Sequence, residues 1–172
     1  MRWAEGDMRS GQERLSHPFE PVWSESSRIL ILGSFPSVKS RETNFYYGHP
    51  RNRFWTVLSS VYGCDVPSEI EDKKELILSH DLALWDVISS CEIVGSSDSS
   101  IRNARVNDIP ALISKTRIER IICNGRQTAG LYERYVMPLT HIEPVPMPST
   151  SPANAAWSAE RLVGEWKKAL IN

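Results

Sequence analysis

The side chains of this chain that could do chemistry gather in four short stretches. GSFPSVKSRETNFYYGHPRNRFW (33–55) joins a Gly/Pro turn, basic residues, three consecutive aromatics (Phe45, Tyr46, Tyr47) and His49 and Asn52 just ahead of an apolar run. LWD (84–86) ends on Asp86, ICNG (122–125) carries Asn124, and MPSTSPANA (147–155) is dense in small hydroxyl side chains. Aromatic faces can stack on nucleic-acid bases, at roughly 1–3 kcal/mol each. Backbone N–H groups at a turn or helix start can hold phosphate or a base carbonyl. An ionised Asp86 accepts from a base N–H, and a desolvated, protonated one donates instead. Asn124 offers one acceptor and two donors, which suits a purine. Each residue also has an ordinary structural use. The aromatics can cover a core, Asn52 can cap the helix it precedes, Asp86 can cap or pair, Asn124 can serve the turn at Gly125, and His49 can brace Pro50.

Several chemistries are disfavoured. The three cysteines (Cys64, Cys91, Cys123) are odd in number and widely spaced, and there is no CxxC pair. That argues against a disulfide framework, zinc or an iron–sulfur cluster. The histidines (His17, His49, His80, His141) form no HxxxH or HExxH pattern, so no metal is expected. Gly-x-Gly-x-x-Gly and Walker patterns are missing too, and no cofactor is expected. The chain has 172 residues, 41% of them hydrophobic and 24% charged, which suits one soluble domain. No apolar run approaches the roughly 18 residues of a membrane span. The first residues lack the apolar core of a secretory signal, so a cytoplasmic protein with no membrane partner is expected.

The elements that must position these residues alternate in type. Residues 1–16 are polar and read as an N-terminal tail, leaving 17–172 as a single domain. RILILG (28–33) is an apolar run without helical period, the mark of a buried parallel strand. After a long loop, NRFWTVLSSVYG (52–63) carries a helical stripe of Phe54, Trp55, Leu58 and Val61 and stops at Gly63. Ser68 and Glu71 form a capping box for a helix to about His80. LALWD (82–86) is a strand, the Ser/Gly-rich stretch 87–106 reads as a loop, and Asn107 caps a short helix with Pro110 in its first turn. RIERIICN (117–124) is a strand, a helix follows over about 126–135, and IEPVPM (142–147) is a strand placed at the edge by its prolines. Ser158 opens a last helix with Leu162, Trp166 and Leu170 on one side.

This order predicts a three-layer α/β/α fold around a central four-stranded, mainly parallel sheet. Ligands bind beyond the carboxyl ends of such strands. Gly33–Pro36, Asp86, Asn124–Gly125 and Pro148–Thr150 all fall at those ends, so one pocket built from four loops is expected. The net charge of −1 is uninformative, but its distribution is uneven. Residues 28–53 hold five basic side chains against one acid, 102–126 hold six against two, and 65–81 hold six acids against two lysines. One face could therefore meet phosphates while the whole stays near neutral. Solvated helix faces would give the same pattern.

The combination GSFPS followed by HPRNRFW resembles motif 1 of the uracil-DNA glycosylase superfamily. With LWDVISSCE and MPSTSPANA further on, it is most similar to the hypoxanthine-DNA glycosylase branch, from about His17 to the C-terminus. The resemblance implies a uracil-DNA glycosylase-like fold and a catalytic role for Asn52. Most of the superfamily carries Asp or Asn before the motif-1 proline to orient the attacking water. Phe35 stands there in this chain and cannot do so. Asn52 would then hold a water through its carbonyl oxygen and favour positive charge on the sugar. Tyr47 would stack on the extruded base. Gly33, Ser34, Phe35, His49, Asp86 and Asn124 would bind it. Ser37, Lys39, Arg51, Arg126, Ser149, Thr150 and Ser151 would contact DNA, and Pro152, Ala153 and Asn154 would form the wedge that replaces the flipped nucleotide. Met147 stands where the uracil-specific branch opens motif 2 with histidine, which argues against a motif-2 histidine assisting base departure.

The expected reaction is hydrolysis of the N-glycosidic bond of a deaminated base in double-stranded DNA. Hypoxanthine comes first, with uracil or xanthine as further substrates. Extruding the base costs a few kcal/mol, least at a mispair. Without an evident lysine nucleophile, the product is an abasic site, and a monomer is expected. A mismatch-specific uracil/thymine glycosylase, a non-catalytic lesion-binding module and a nucleosidase acting on free nucleosides are the alternatives.

Overall fold

The computed structural model describes residues 13–171. A four-stranded parallel sheet has the order β3-β2-β6-β7, formed by β2 (Ile29–Gly33), β3 (Leu82–Asp86), β6 (Arg120–Asn124) and β7 (Pro144–Met147). All its pairings are parallel: Ile31 lies opposite Leu84 on one side and Ile122 on the other. Leu30, Ile31 and Leu32 are fully buried, because successive side chains of a central strand enter cores on opposite faces. Ile31, Leu84 and Ile122 pack under α2 (Phe54–Tyr62), α3 (Ile70–Leu78) and α7 (Ala159–Ile171). Leu30, Leu32, Ile121 and Cys123 face α4 (Ile109–Ser114) and α5 (Arg126–Tyr135). The expected three layers are present. A short α6 (Met137–Thr140) follows α5.

Both outer strands are guarded against edge pairing. Val22 exchanges backbone hydrogen bonds with Leu84 beyond β3, at 2.9 and 2.8 Å. On β7, Pro144 and Pro146 withhold donors from the edge, as predicted. Gly63 ends α2 in the left-handed conformation, and Leu162, Trp166 and Leu170 are buried in α7.

Five expectations need correction. The stretch 87–106 is not a loop: β4 (Ile88–Ile93), a 3-10 turn at Asp98–Ser100 and β5 (Arg102–Val106) lie within it. With β1 (Glu13–Ser16) they form an antiparallel sheet of order β1-β4-β5. Residues 13–16, read as part of the tail, are thus its edge strand; residues 1–12 lie outside the described residues. Serine-rich strands with two register irregularities between β4 and β5 leave little periodicity to read. The loop after β2 contains α1 (Val38–Thr43), whose cap is Ser37. Helix α3 starts at Ile70 without a side-chain cap bond, so the Ser68 capping box does not form. Helix α4 is capped by Asp108, which accepts from Ala111 N–H at 3.1 Å. Asn107 instead donates to the Asp86 and Ile88 carbonyls at 2.8 and 3.3 Å, tying the two sheets together.

Candidate active site

Parallel register sets the site. Gly33 lies opposite Asp86, and Asn124 lies opposite Met147, so the strand ends that carry the polar residues stop at one level. Beyond them lies a cavity of about 350 Å³, within the usual range of small-molecule sites. Gly33, Ser34, Phe35 and Ser37 line it from the turn after β2, and Tyr47, His49 and Asn52 from the segment before α2. Asp86 and Asn124 line it from β3 and β6, and Ser149–Ala153 close it from the loop before α7. Lys39, Arg51, Arg126 and Asn154 are outside its wall. Lys39 pairs with Glu42 at 3.4 Å on the surface of α1, and Arg51 is exposed on the turn beyond His49. Arg126 and Asn154 line an adjoining groove that shares Asn124 and Ser149 with the cavity.

The HPRN stretch is a turn with Pro50 in its second position, closed by Asn52 N–H donating to the His49 carbonyl at 2.9 Å. His49 Nδ1 accepts from Arg51 N–H at 3.0 Å, which leaves Nε2 to carry the proton of a neutral ring. Asn52 Oδ1 accepts from Phe54 N–H at 3.0 Å, so the residue does brace the start of α2. The same oxygen accepts from the Thr150 hydroxyl at 2.9 Å. Its two lone pairs are therefore engaged. The expected arrangement, with this oxygen turned to a water, is not the one present, and among the described residues Nδ2 is the hydrogen-bonding group that Asn52 has left.

Thr150, fully buried, also accepts from Asn124 Nδ2 at 3.0 Å, while its backbone N–H donates to Asn124 Oδ1 at 3.0 Å. Asn124, Thr150 and Asn52 thus form one continuous chain of hydrogen bonds. Three distant sequence segments are locked by it, and the role of Thr150 as its centre had no sequence signal. Thr150 was expected to touch phosphate; its hydroxyl is enclosed instead.

Tyr47 adopts φ +54, unusual for a bulky residue. Its ring stacks on Phe54 with centroids 4.1 Å apart and planes at 25°. Its hydroxyl is buried without a hydrogen-bond partner among the described residues. Burial, then the charge of Asp86, opposes its ionisation, against the favourable influence of the Asn124 side chain. An orphaned buried hydroxyl in a cavity wall is a donor awaiting a ligand. Gly33 makes room for this arrangement: a Cβ there would overlap the Asp86 carboxylate and sit 3.1 Å from the Tyr47 oxygen.

Asp86 is committed in part. Its Oδ2 pairs with His17 Nε2 at 2.7 Å, and both side chains are at least nine-tenths buried. The His17 ring sits among Phe19, Phe35 and Tyr46. Sequence reasoning assigned His17 no role, since 69 residues separate the partners. The serine/proline loop is held by another unforeseen residue. Arg53 donates to the carbonyls of Ser151 (3.2 Å), Asn154 (3.0 Å) and Trp157. Its charge therefore shapes the loop. Within the loop Asn154 donates to the Ser149 carbonyl at 2.9 Å, so its side chain braces the turn, and Pro152 and Ala153 remain exposed at the tip. Gly125, at φ +98, packs so closely that a Cβ would stand 3.3 Å from that of Ser149.

The profile of the uracil DNA glycosylase superfamily matches residues 21–171. The chain belongs to this superfamily. A hypoxanthine DNA glycosylase of Methanosarcina acetivorans is 35% identical over 150 residues, covering 87% of this chain and 94% of that one. Another, from Methanosarcina barkeri, is 34% identical over 117 residues, covering 67% and 73%. A solution NMR structure of a candidate uracil DNA glycosylase from M. acetivorans superposes with a TM-score of 0.76 at 33% identity, covering 88% of this chain and 94% of that one. This superfamily member is a DNA glycosylase, and DNA is its substrate. Ser40, Tyr46, Ser96 and Thr128 also line the cavity and escaped the sequence reading, as did Asp98, carried by the 3-10 turn of the second sheet.

Proposed function

We propose that this glycosylase hydrolyses the N-glycosidic bond of hypoxanthine in double-stranded DNA, with uracil or xanthine as lesser substrates, and leaves an abasic site. The observation that carries the reading is the convergence of Asn52, Tyr47 and Asn124 on one cavity beside the Ser149–Ala153 loop. With one face against Phe54, Tyr47 has its other face to offer an extruded base. Asn124 keeps one Nδ2 hydrogen beyond its bonds to Thr150, and the Tyr47 hydroxyl is a second donor. Donors aimed at the departing base stabilise the negative charge it gains, each worth on the order of 3 kcal/mol when well placed. Asn52 Nδ2 holds the water that attacks the sugar. The exposed Pro152–Ala153 tip fills the gap in the duplex, with Ser149, Ser151, Lys39, Arg51 and Arg126 near the phosphates. The protein acts as a cytoplasmic monomer; no helix among the described residues is long and apolar enough to cross a membrane.

A panel of duplexes carrying inosine, xanthine, uracil or a thymine mismatch tests this. Hypoxanthine should be released fastest, without strand cleavage before alkali. Faster release of uracil would overturn the substrate assignment, and binding of lesions without any abasic product would overturn the catalytic one.

A further inference from the structure

Hydrolysis needs an acceptor for the proton of the attacking water, and the segments expected to supply it do not. Phe35 stands before Pro36, and the Asn52 carbonyl oxygen is filled by Phe54 N–H and the Thr150 hydroxyl. His49 Nδ1 is occupied by Arg51 N–H. Two carboxylates line the cavity, Asp86 and Asp98. Asp86 is bound to buried His17 through Oδ2, and its Oδ1 lies against Gly33. Asp98 has no salt bridge among the described residues. The Ser34 side chain, one residue before Phe35, shares the cavity wall with it and favours its ionised form.

The turn that carries Asp98 is fixed in place. Gln127 Nε2 of α5 donates to its carbonyl at 2.9 Å, and Ile101 N–H does so at 3.2 Å. Nearby, Val38 N–H of α1 donates to Ser96 Oγ at 2.9 Å, and Arg41 donates to the Gly95 carbonyl at 3.2 Å. Asp98 lies close enough to Tyr47 that its charge opposes ionisation of that hydroxyl. The second sheet therefore delivers a carboxylate beside the position that Phe35 leaves without a polar group. Burial, the largest influence on it, weakens Asp98 as an acid and so strengthens it as a base.

We propose that Asp98 is the catalytic base of this glycosylase, a carboxylate supplied by the β4–β5 sheet. This rests on the base-excision reading above. Asp98 accepts a proton from the water as the water oxygen bonds to the sugar C1′. The bond from C1′ to the base nitrogen breaks, and its electron pair leaves with the base. The base anion then takes a proton from solvent, to which Asp98 returns its own.

The test is single-turnover excision from inosine duplex by wild type, Asp98→Asn and Asp98→Ala, with binding of abasic-site duplex and thermal melting measured in parallel. Asp98→Asn keeps shape and removes basicity, so excision should fall roughly 10²-fold or more while binding and melting hold. Formate should restore part of the rate to Asp98→Ala. A rate for Asp98→Asn equal to wild type, or a changed base preference at an undiminished maximal rate, would overturn the proposal. If wild type itself releases no base from the lesion panel, the excision reading falls first, and the base assignment falls with it.

Discussion

Replacing Thr150 by valine should separate the hydrogen-bond chain from the packing around it. Valine matches threonine in shape, so the fully enclosed site stays filled. Two bonds vanish: Thr150 Oγ1 to Asn52 Oδ1, 2.9 Å, and Asn124 Nδ2 to Thr150 Oγ1, 3.0 Å. Asn52 keeps Phe54 N–H, and Asn124 keeps Thr150 N–H. Each lost bond is worth about 1 kcal/mol net, and a buried donor left alone costs about 1–3 kcal/mol. The sum is about 3–5 kcal/mol. For a chain of this length that lowers the melting temperature by about 6–20 °C. Freed from one side, the two amides should also serve the reaction less well, by about tenfold in single-turnover excision, or 1.4 kcal/mol. Thr150→Ser keeps the hydroxyl and should recover most of the rate. Differential scanning calorimetry and excision from inosine duplex read the two effects. A Thr150→Val rate equal to wild type would show the chain to be structural only. Equal losses in the serine variant would assign the effect to the missing methyl group.

Asn52→Ala should lower single-turnover excision roughly 10²-fold or more while abasic-duplex affinity changes little; equal losses in rate and affinity refute a catalytic role. His17→Ala removes the hydrogen-bond partner of the buried Asp86 side chain and should destabilise by about 1–3 kcal/mol, whereas the double variant with Asp86→Ala should regain part of that, a coupling visible in denaturant unfolding. Burial pushes the Cys91 thiol up to about 11 and Cys123 up to about 12, while Cys64 is exposed. A thiol reagent at neutral pH should therefore label the native protein once, at Cys64, by peptide mapping; fast labelling of Cys123 would mean that the sheet opens.

The sequence by itself determined what is written in short periods. The double-sided burial of 29–33, the stripe of α2 and α7 and the prolines of β7 are local signals, and they yield the parallel sheet. Its register then aligns Gly33, Asp86 and Asn124 at one edge, which is why the pocket could be foreseen from the strand ends. The tertiary structure alone decided which atoms are available there. Asn52 loses its acceptor to Thr150, 98 residues away, and Asp86 is claimed by His17. Arg53 is spent on loop carbonyls, and Asp98 enters on a serine-rich sheet that lacks periodicity. A hydrogen-bond partner far along the chain leaves no trace in composition or spacing, because the folded path alone sets the distance between the two groups.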